Sequence, residues 1–199
     1  MFAGARGRVI ARGSGPASDW NIANVVTVVR ILLAPLFVWL LFADDHAGGP
    51  LRWLAAVLFV VAIVTDSVDG NLARSRNLVT NLGILLDPIA DKVLIGAALI
   101  GLSLLGELPW WVTVLILVRE VGITVFRFAV LSDRVVPASR GGKLKTVLQA
   151  VAITAALLPL PTLLGGWVTV VDTILMSAAF VLTIVTGIDY LVQAYRRNL

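Results

Sequence analysis

The sequence predicts an all-α integral membrane protein, with six transmembrane helices and a short N-terminal interfacial helix. Three observations carry this. Of the 199 residues 59% are hydrophobic and only 14% charged, which leaves more apolar surface than a soluble core of this size can hide. Apolar runs of about 20 residues recur with short connections between them. The basic residues gather on one set of flanks. That placement, with a net charge of only +4, argues against nucleic acid as a partner, which would require cations clustered on a soluble face among aromatics. The absence of cysteine excludes a disulfide framework and any thiolate metal site.

Residues 1–17 carry Arg6, Arg8 and Arg12 among Gly, Ala, Ser and Pro, and read as a flexible basic tail able to touch anionic headgroups. Residues 18–199 form the membrane domain. Ser18 to Asn24 offers N-cap residues and Trp20, which fits a short helix at headgroup level. The spans follow at about Val25 to Phe42, Leu51 to Arg74, Gly83 to Leu105, Trp110 to Leu131, Leu144 to Leu164 and Trp167 to Tyr195, the last two poorly separated. The first contains Arg30 and reads as a signal anchor rather than a cleavable signal.

Turn residues mark Asp44 to Pro50, Glu107 to Pro109 and Pro159 to Gly166 as connections on one side, with Arg52 the only cation beside them. The other side carries Arg6, Arg8, Arg12, Arg74, Arg76, Arg134, Arg140, Lys143, Lys145, Arg196 and Arg197. This imbalance predicts a multi-pass protein of the cell (inner) membrane with both termini in the cytoplasm. Trp20, Trp53, Trp110, Trp111 and Trp167 fall near span ends, as interfacial anchors do.

The chemistry concentrates between residues 66 and 91. Asp66 and Asp69 are three apart, and Asp87 and Asp91 four apart, so each pair shares one helix face. If the second and third spans form an antiparallel pair turning near residue 78, the four carboxylates converge at the cytoplasmic side. Four ionised acids in a poorly solvated site repel one another unless cations intervene. All-oxygen coordination favours Mg²⁺ or Mn²⁺, and two such ions can neutralise a pyrophosphate during displacement. Arg74 adds planar donors for phosphate, and Gly70 and Gly83 leave room for close approach. Two intramembrane acids alone would suit a proton- or cation-coupled transporter. Four in this register, with Arg74 among them, favour phosphoryl transfer.

The run Asp66-x2-Asp69-Gly70-x2-Ala73-Arg74-x8-Gly83-x3-Asp87-x3-Asp91 resembles the motif of the CDP-alcohol phosphotransferases at all eight positions. The resemblance implies a six-helix membrane enzyme, commonly a homodimer, that moves a phosphatidyl or similar group from a CDP-linked donor to an alcohol and releases CMP. It implies that Asp66, Asp69, Asp87 and Asp91 hold the metals, that Asp91 is the base acting on the acceptor hydroxyl, and that Gly70, Ala73, Arg74 and Thr80 contact the cytidine diphosphate.

Asn21 to Arg30, with Asn24 and Thr27 as further donor-binding candidates, is similar to the glycerol-3-phosphate-using branch of that family, although Ala23 stands where proline is usual there. Arg119-Glu120 with Arg127, and Gly142-Lys143-Leu144-Lys145-Thr146-x2-Gln149, are similar to the same branch. This implies CDP-diacylglycerol as donor and sn-glycerol 3-phosphate as acceptor, with inositol phosphate the alternative. Arg119, Arg127, Lys143 and Lys145 are the candidates for the acceptor phosphate. The competing expectation is that Arg119 pairs with Glu120 or another buried acid and that Lys143 and Lys145 are only positive-inside flanks. Gly141-Gly142-Lys143 lacks the spacing of a phosphate-binding P-loop. His46, the only histidine, falls in a connection opposite the carboxylates and suits no catalytic role.

Overall fold

A computed structural model describes residues 22–75, 81–130 and 140–197. Seven helices occupy them: α1 (Ile22–Ala43), α2 (Pro50–Ser75), α3 (Asn81–Leu104), α4 (Trp110–Val130), α5 (Arg140–Leu157), α6 (Leu160–Leu164) and α7 (Trp167–Arg197). The basic tail, residues 18–21 of the expected interfacial helix, Trp20, Thr80 and Arg134 lie outside the described residues.

Two boundaries differ from expectation. Residues 22–24 belong to α1, which starts at Ile22 and runs unbroken to Ala43, so no separate interfacial helix exists over those three positions. Nothing between Ile22 and Thr27 is a glycine or proline that would interrupt it. The fifth expected span is divided. α5 stops at Leu157, and Pro159 and Pro161, which lack the N–H needed to continue it, set off the short α6.

α1 packs along both α2 and α3, α5 packs along α7, and α4 bridges α3 to α7. Phe37 of α1 meets Phe59 of α2 with ring centroids 5.8 Å apart, in a core that also takes Leu41, Leu94, Leu99 and Leu102. Around it the usual distribution is inverted. Leu32, Trp39, Val61, Val118, Val147, Ile174 and Ile188 are more than half exposed, whereas Arg52, Thr113, Gln149 and Thr183 are buried. Such outward apolar faces are those of a membrane protein. Among the described residues two helices are long and apolar enough to cross a bilayer by length and composition, over Val26–Ala43 and Trp167–Arg196. Among the described residues α2, α3 and α5 carry shorter apolar stretches, over Pro50–Thr65, Lys92–Leu104 and Leu144–Leu157.

The three expected connections meet at one end. α3 closes with Gly106 at φ +73°, where Gly106 N–H reaches Ser103 O at 3.1 Å and Glu107 N–H reaches Leu102 O at 2.9 Å. That turn delivers Glu107 to Arg52, which is 5% exposed. The guanidinium pairs with both Glu107 carboxylate oxygens and also donates to Leu157 O at 2.8 Å and Ala156 O at 3.1 Å, the free carbonyls at the end of α5. Asp44 binds the start of α2 through Gly48 N at 2.8 Å, Gly49 N at 3.0 Å and Arg52 N at 3.2 Å. Arg52 is thus a structural tie. Trp53, Trp110, Trp111 and Trp167 stand exposed in the first turns of α2, α4 and α7, forming the expected belt at this end.

Removing Glu107 leaves a buried guanidinium with carbonyl partners alone. Glu107→Ala should therefore destabilise the detergent-solubilised protein by roughly 3 kcal/mol. Thermal unfolding followed by intrinsic tryptophan fluorescence checks this; an unchanged midpoint would contradict the tie.

Candidate functional site

The backbone places the four aspartates as their spacing requires. Asp66 and Asp69 lie one turn apart in the last three turns of α2, and Asp87 and Asp91 one turn apart in the first three turns of α3. Both segments stand at the end of the helices opposite the Arg52 tie. Gly70, Ala73 and Arg74 continue α2, and Asn24 sits in the first turn of α1. The side chains of Asn24, Asp66, Asp69, Ala73, Arg74, Asp87, Asp91, Arg127 and Lys143 lie outside the described residues, as does Thr80. Thr27, one turn beyond Asn24, is buried in α1. The donor set suits a hard divalent cation. It consists of carboxylates in one-turn pairs, the chain has no cysteine, and His46 is at the far end, 3.4 Å from Glu107.

A second polar cluster lies inside the bundle, between α4, α5 and α7. Glu120 of α4 pairs with Lys145 of α5, whose side chain is 8% exposed, and with Arg119 at 3.2 Å. Consecutive helical residues point about 100° apart. Arg119 accordingly reaches across to α7, where its Nη2 donates to Thr186 Oγ1 at 3.1 Å. Thr186 can accept because its own hydroxyl proton is directed at Leu182 O, 2.7 Å away. Arg119 also runs over Gly187, where a Cβ would lie 3.0 Å from its Cγ and Nε. Lys92, adjacent to Asp91, is near enough to repel Lys145.

Two of the four acceptor candidates, Arg119 and Lys145, are therefore brought together. The alternative expectation, that Arg119 pairs with Glu120, also holds. Lys145 is not a solvated flank. What the sequence did not reveal is the sharing of Glu120 with Lys145 and the contribution of α7. Glu120 is the one acid among the cations of the fourth span, which was a usable signal, whereas nothing marked Thr186 or Gly187.

A cavity of about 680 Å³ opens at the other end, lined among others by His46, Glu107, Trp111, Asp172 and Phe180. Among the described residues no three His, Asp or Glu side chains are placed to share a metal ion, so this cavity does not rival the aspartate motif. Asp189, the other acid of α7, accepts from Gln193 at 2.7 Å.

The family model described as CDP-alcohol phosphatidyltransferase matches residues 20–185, from the start of α1 to within α7, and so includes the four aspartates, Arg119, Glu120 and Lys145 and ends just before Thr186 and Gly187. The chain belongs to the CDP-alcohol phosphatidyltransferase family. It is 49% identical over 183 residues to a Mycobacterium tuberculosis protein described as a probable phosphatidylglycerophosphate synthase, covering 92% of this chain and 86% of that one. It is 40% identical over 182 residues to the CDP-diacylglycerol–glycerol-3-phosphate 3-phosphatidyltransferase of Bacillus subtilis, covering 86% and 93%. With the Rickettsia prowazekii protein of the same description the identity is 38% over 173 residues, covering 86% and 94%. As a member of this family the chain is an enzyme.

Proposed function

We propose that this phosphatidyltransferase moves the phosphatidyl group of CDP-diacylglycerol onto sn-glycerol 3-phosphate, giving phosphatidylglycerol phosphate and CMP. The observation that carries the acceptor is the meeting of Arg119 and Lys145, from different helices, inside the bundle. Buried cations on one carboxylate leave positive charge to be met by a phosphomonoester. The printed descriptions of the relatives support the same donor and acceptor.

In this reading Asp66, Asp69, Asp87 and Asp91 hold two Mg²⁺ or Mn²⁺ ions, which supply charge neutralisation for the pyrophosphate and for departing CMP. Gly70, Ala73, Arg74 and Thr80, with Asn24 and Thr27 from α1, hold the cytidine diphosphate. Arg119, Arg127, Lys143 and Lys145 hold the acceptor's phosphate. Asp91 takes the proton of the acceptor's 1-hydroxyl as that oxygen attacks the lipid-linked phosphorus. The bond from this phosphorus to the CMP oxygen breaks, and CMP leaves. The lipid tails stay among the outward apolar faces, so the donor never has to leave the membrane. The same proposal includes six spans, a homodimer, residence in the inner membrane, and an active site on the cytoplasmic side with both termini. The cations near the ends of α2, α4, α5 and α7 opposite the Arg52 tie support this orientation.

Three outcomes follow. Purified protein in detergent with CDP-diacylglycerol should release CMP when sn-glycerol 3-phosphate is added and not when inositol phosphate replaces it. No release with either would reject the transferase, and release only with inositol phosphate would reassign the acceptor. Asp91→Asn should lower turnover by at least about 100-fold while CDP-diacylglycerol still binds; near-normal turnover would remove Asp91 as base. Chelation with EDTA should abolish CMP release and added Mg²⁺ or Mn²⁺ should restore it, so activity that persists after chelation would exclude the metal role.

A further inference from the structure

Glu120 is the carboxylate on which the α4–α5–α7 cluster closes. Its side chain is 15% exposed, and it serves Lys145 and Arg119 together. One acid between two cations does not neutralise them. Arg119 Nε is moreover buried without a hydrogen-bond partner. A buried donor and an excess of positive charge at one place are what a bound anion would complete.

The geometry also fixes how the cations can point. A lysine ammonium on a four-carbon stem has many accessible positions, and a carboxylate partner selects one of them. Arg119 is confined from the opposite side, by the Thr186 hydroxyl and by the bare backbone of Gly187. The two cations thus lie in a frame with Glu120 at its centre and α7 as its back wall.

We propose that Glu120 is a positioning residue of the acceptor site, its carboxylate holding Lys145 and Arg119 so that both address one phosphomonoester, with Thr186 and Gly187 of α7 seating Arg119. This rests on the reading of Arg119 and Lys145 as acceptor-phosphate ligands. It adds a residue that touches no substrate and a helix that otherwise carries no part of the site. Glu120 acts through the cations, so its loss shows in how the acceptor binds and far less in the chemical step or the donor.

The test uses full-length protein in detergent with CDP-diacylglycerol and sn-glycerol 3-phosphate, comparing wild type, Glu120→Gln and Gly187→Ala. Glu120→Gln keeps the shape and removes the charge, and Gly187→Ala crowds Arg119 at Cγ and Nε, so that the guanidinium must give by a few tenths of an ångström while every charge stays in place. Each should raise the KM for sn-glycerol 3-phosphate roughly tenfold or more, the scale of one charged hydrogen bond. Their kcat should stay within about threefold of wild type, and their KM for CDP-diacylglycerol should not change. Glu120→Asp should recover part of the loss. If the acceptor KM is unchanged in both variants, or donor and acceptor KM rise together, Glu120 is a structural ion-pair partner only and the proposal is overturned. Should Glu120→Gln fail to fold, Gly187→Ala alone decides. A wild-type protein that turns over without sn-glycerol 3-phosphate would instead overturn the acceptor assignment itself, so the two failures read differently.

Discussion

A charge taken into an apolar medium has to bring a partner, and this constraint organises the bundle. Insertion of an isolated charged side chain at the middle of a membrane helix costs about 2.5 to 3.5 kcal/mol. Arg52 meets it by joining α2 to the α3–α4 turn and to the last carbonyls of α5. Glu120 meets it by joining α4 to α5, and Arg119 extends the same chain to α7. The ion pairs sit where helices must be tied. Between them the helices are held by apolar packing such as Phe37 on Phe59, which has no directional demand of its own. A neutral polar tie, the buried hydroxyl pair of Ser103 and Thr113 at 2.7 Å, joins α3 to α4 as well.

The same constraint explains the polarity gradient along the helices. α2 carries Asp66, Asp69 and Arg74 after its apolar part; α3 reverses the order, with Asp87 and Asp91 before the apolar run of residues 93–104. α5 has Lys143 and Lys145 at its beginning and an apolar remainder. In an antiparallel bundle these gradients add, so the four aspartates and most of the basic residues gather at one end, with apolar sequence between them and the Arg52 tie. An enzyme joining a water-soluble acceptor to a lipid-bound donor needs that division, because its two substrates come from media that do not mix.

Much of this was legible in the sequence, for identifiable reasons. The aspartate motif was readable because period and chemistry coincide: one-turn spacing with four carboxylates leaves few structural explanations. The helix order, the three connections at one end and the tryptophan belt followed from hydropathy, turn residues and the positions of Trp53, Trp110, Trp111 and Trp167. What was misjudged is local and depends on residues with two permissible states. Residues 22–24 could belong to an interfacial turn or to the first helix, and they form the first turn of α1. Leu144 to Leu164 is apolar enough for one span, yet Pro159 and Pro161 divide it. The shared role of Glu120 was hidden because it is a tertiary fact. Arg119 and Lys145 are 26 residues apart in the chain, and only the packing of α4, α5 and α7 shows that they serve one carboxylate.

Glu120 also bears on why a cationic pocket here would favour a phosphomonoester over a simpler anion. Arg119 and Lys145 against Glu120 leave a surplus of positive charge in the cluster. A phosphomonoester near neutral pH carries between about one and a half and two negative charges. Without the glutamate the surplus would be larger, and any polyanion, including the pyrophosphate of the donor, would compete for it. With the glutamate the surplus is smaller, and in the proposed arrangement the frame fixes where one terminal phosphate would sit. The carboxylate then has two effects that oppose each other in raw attraction but agree in selectivity, weakening the field while sharpening the geometry.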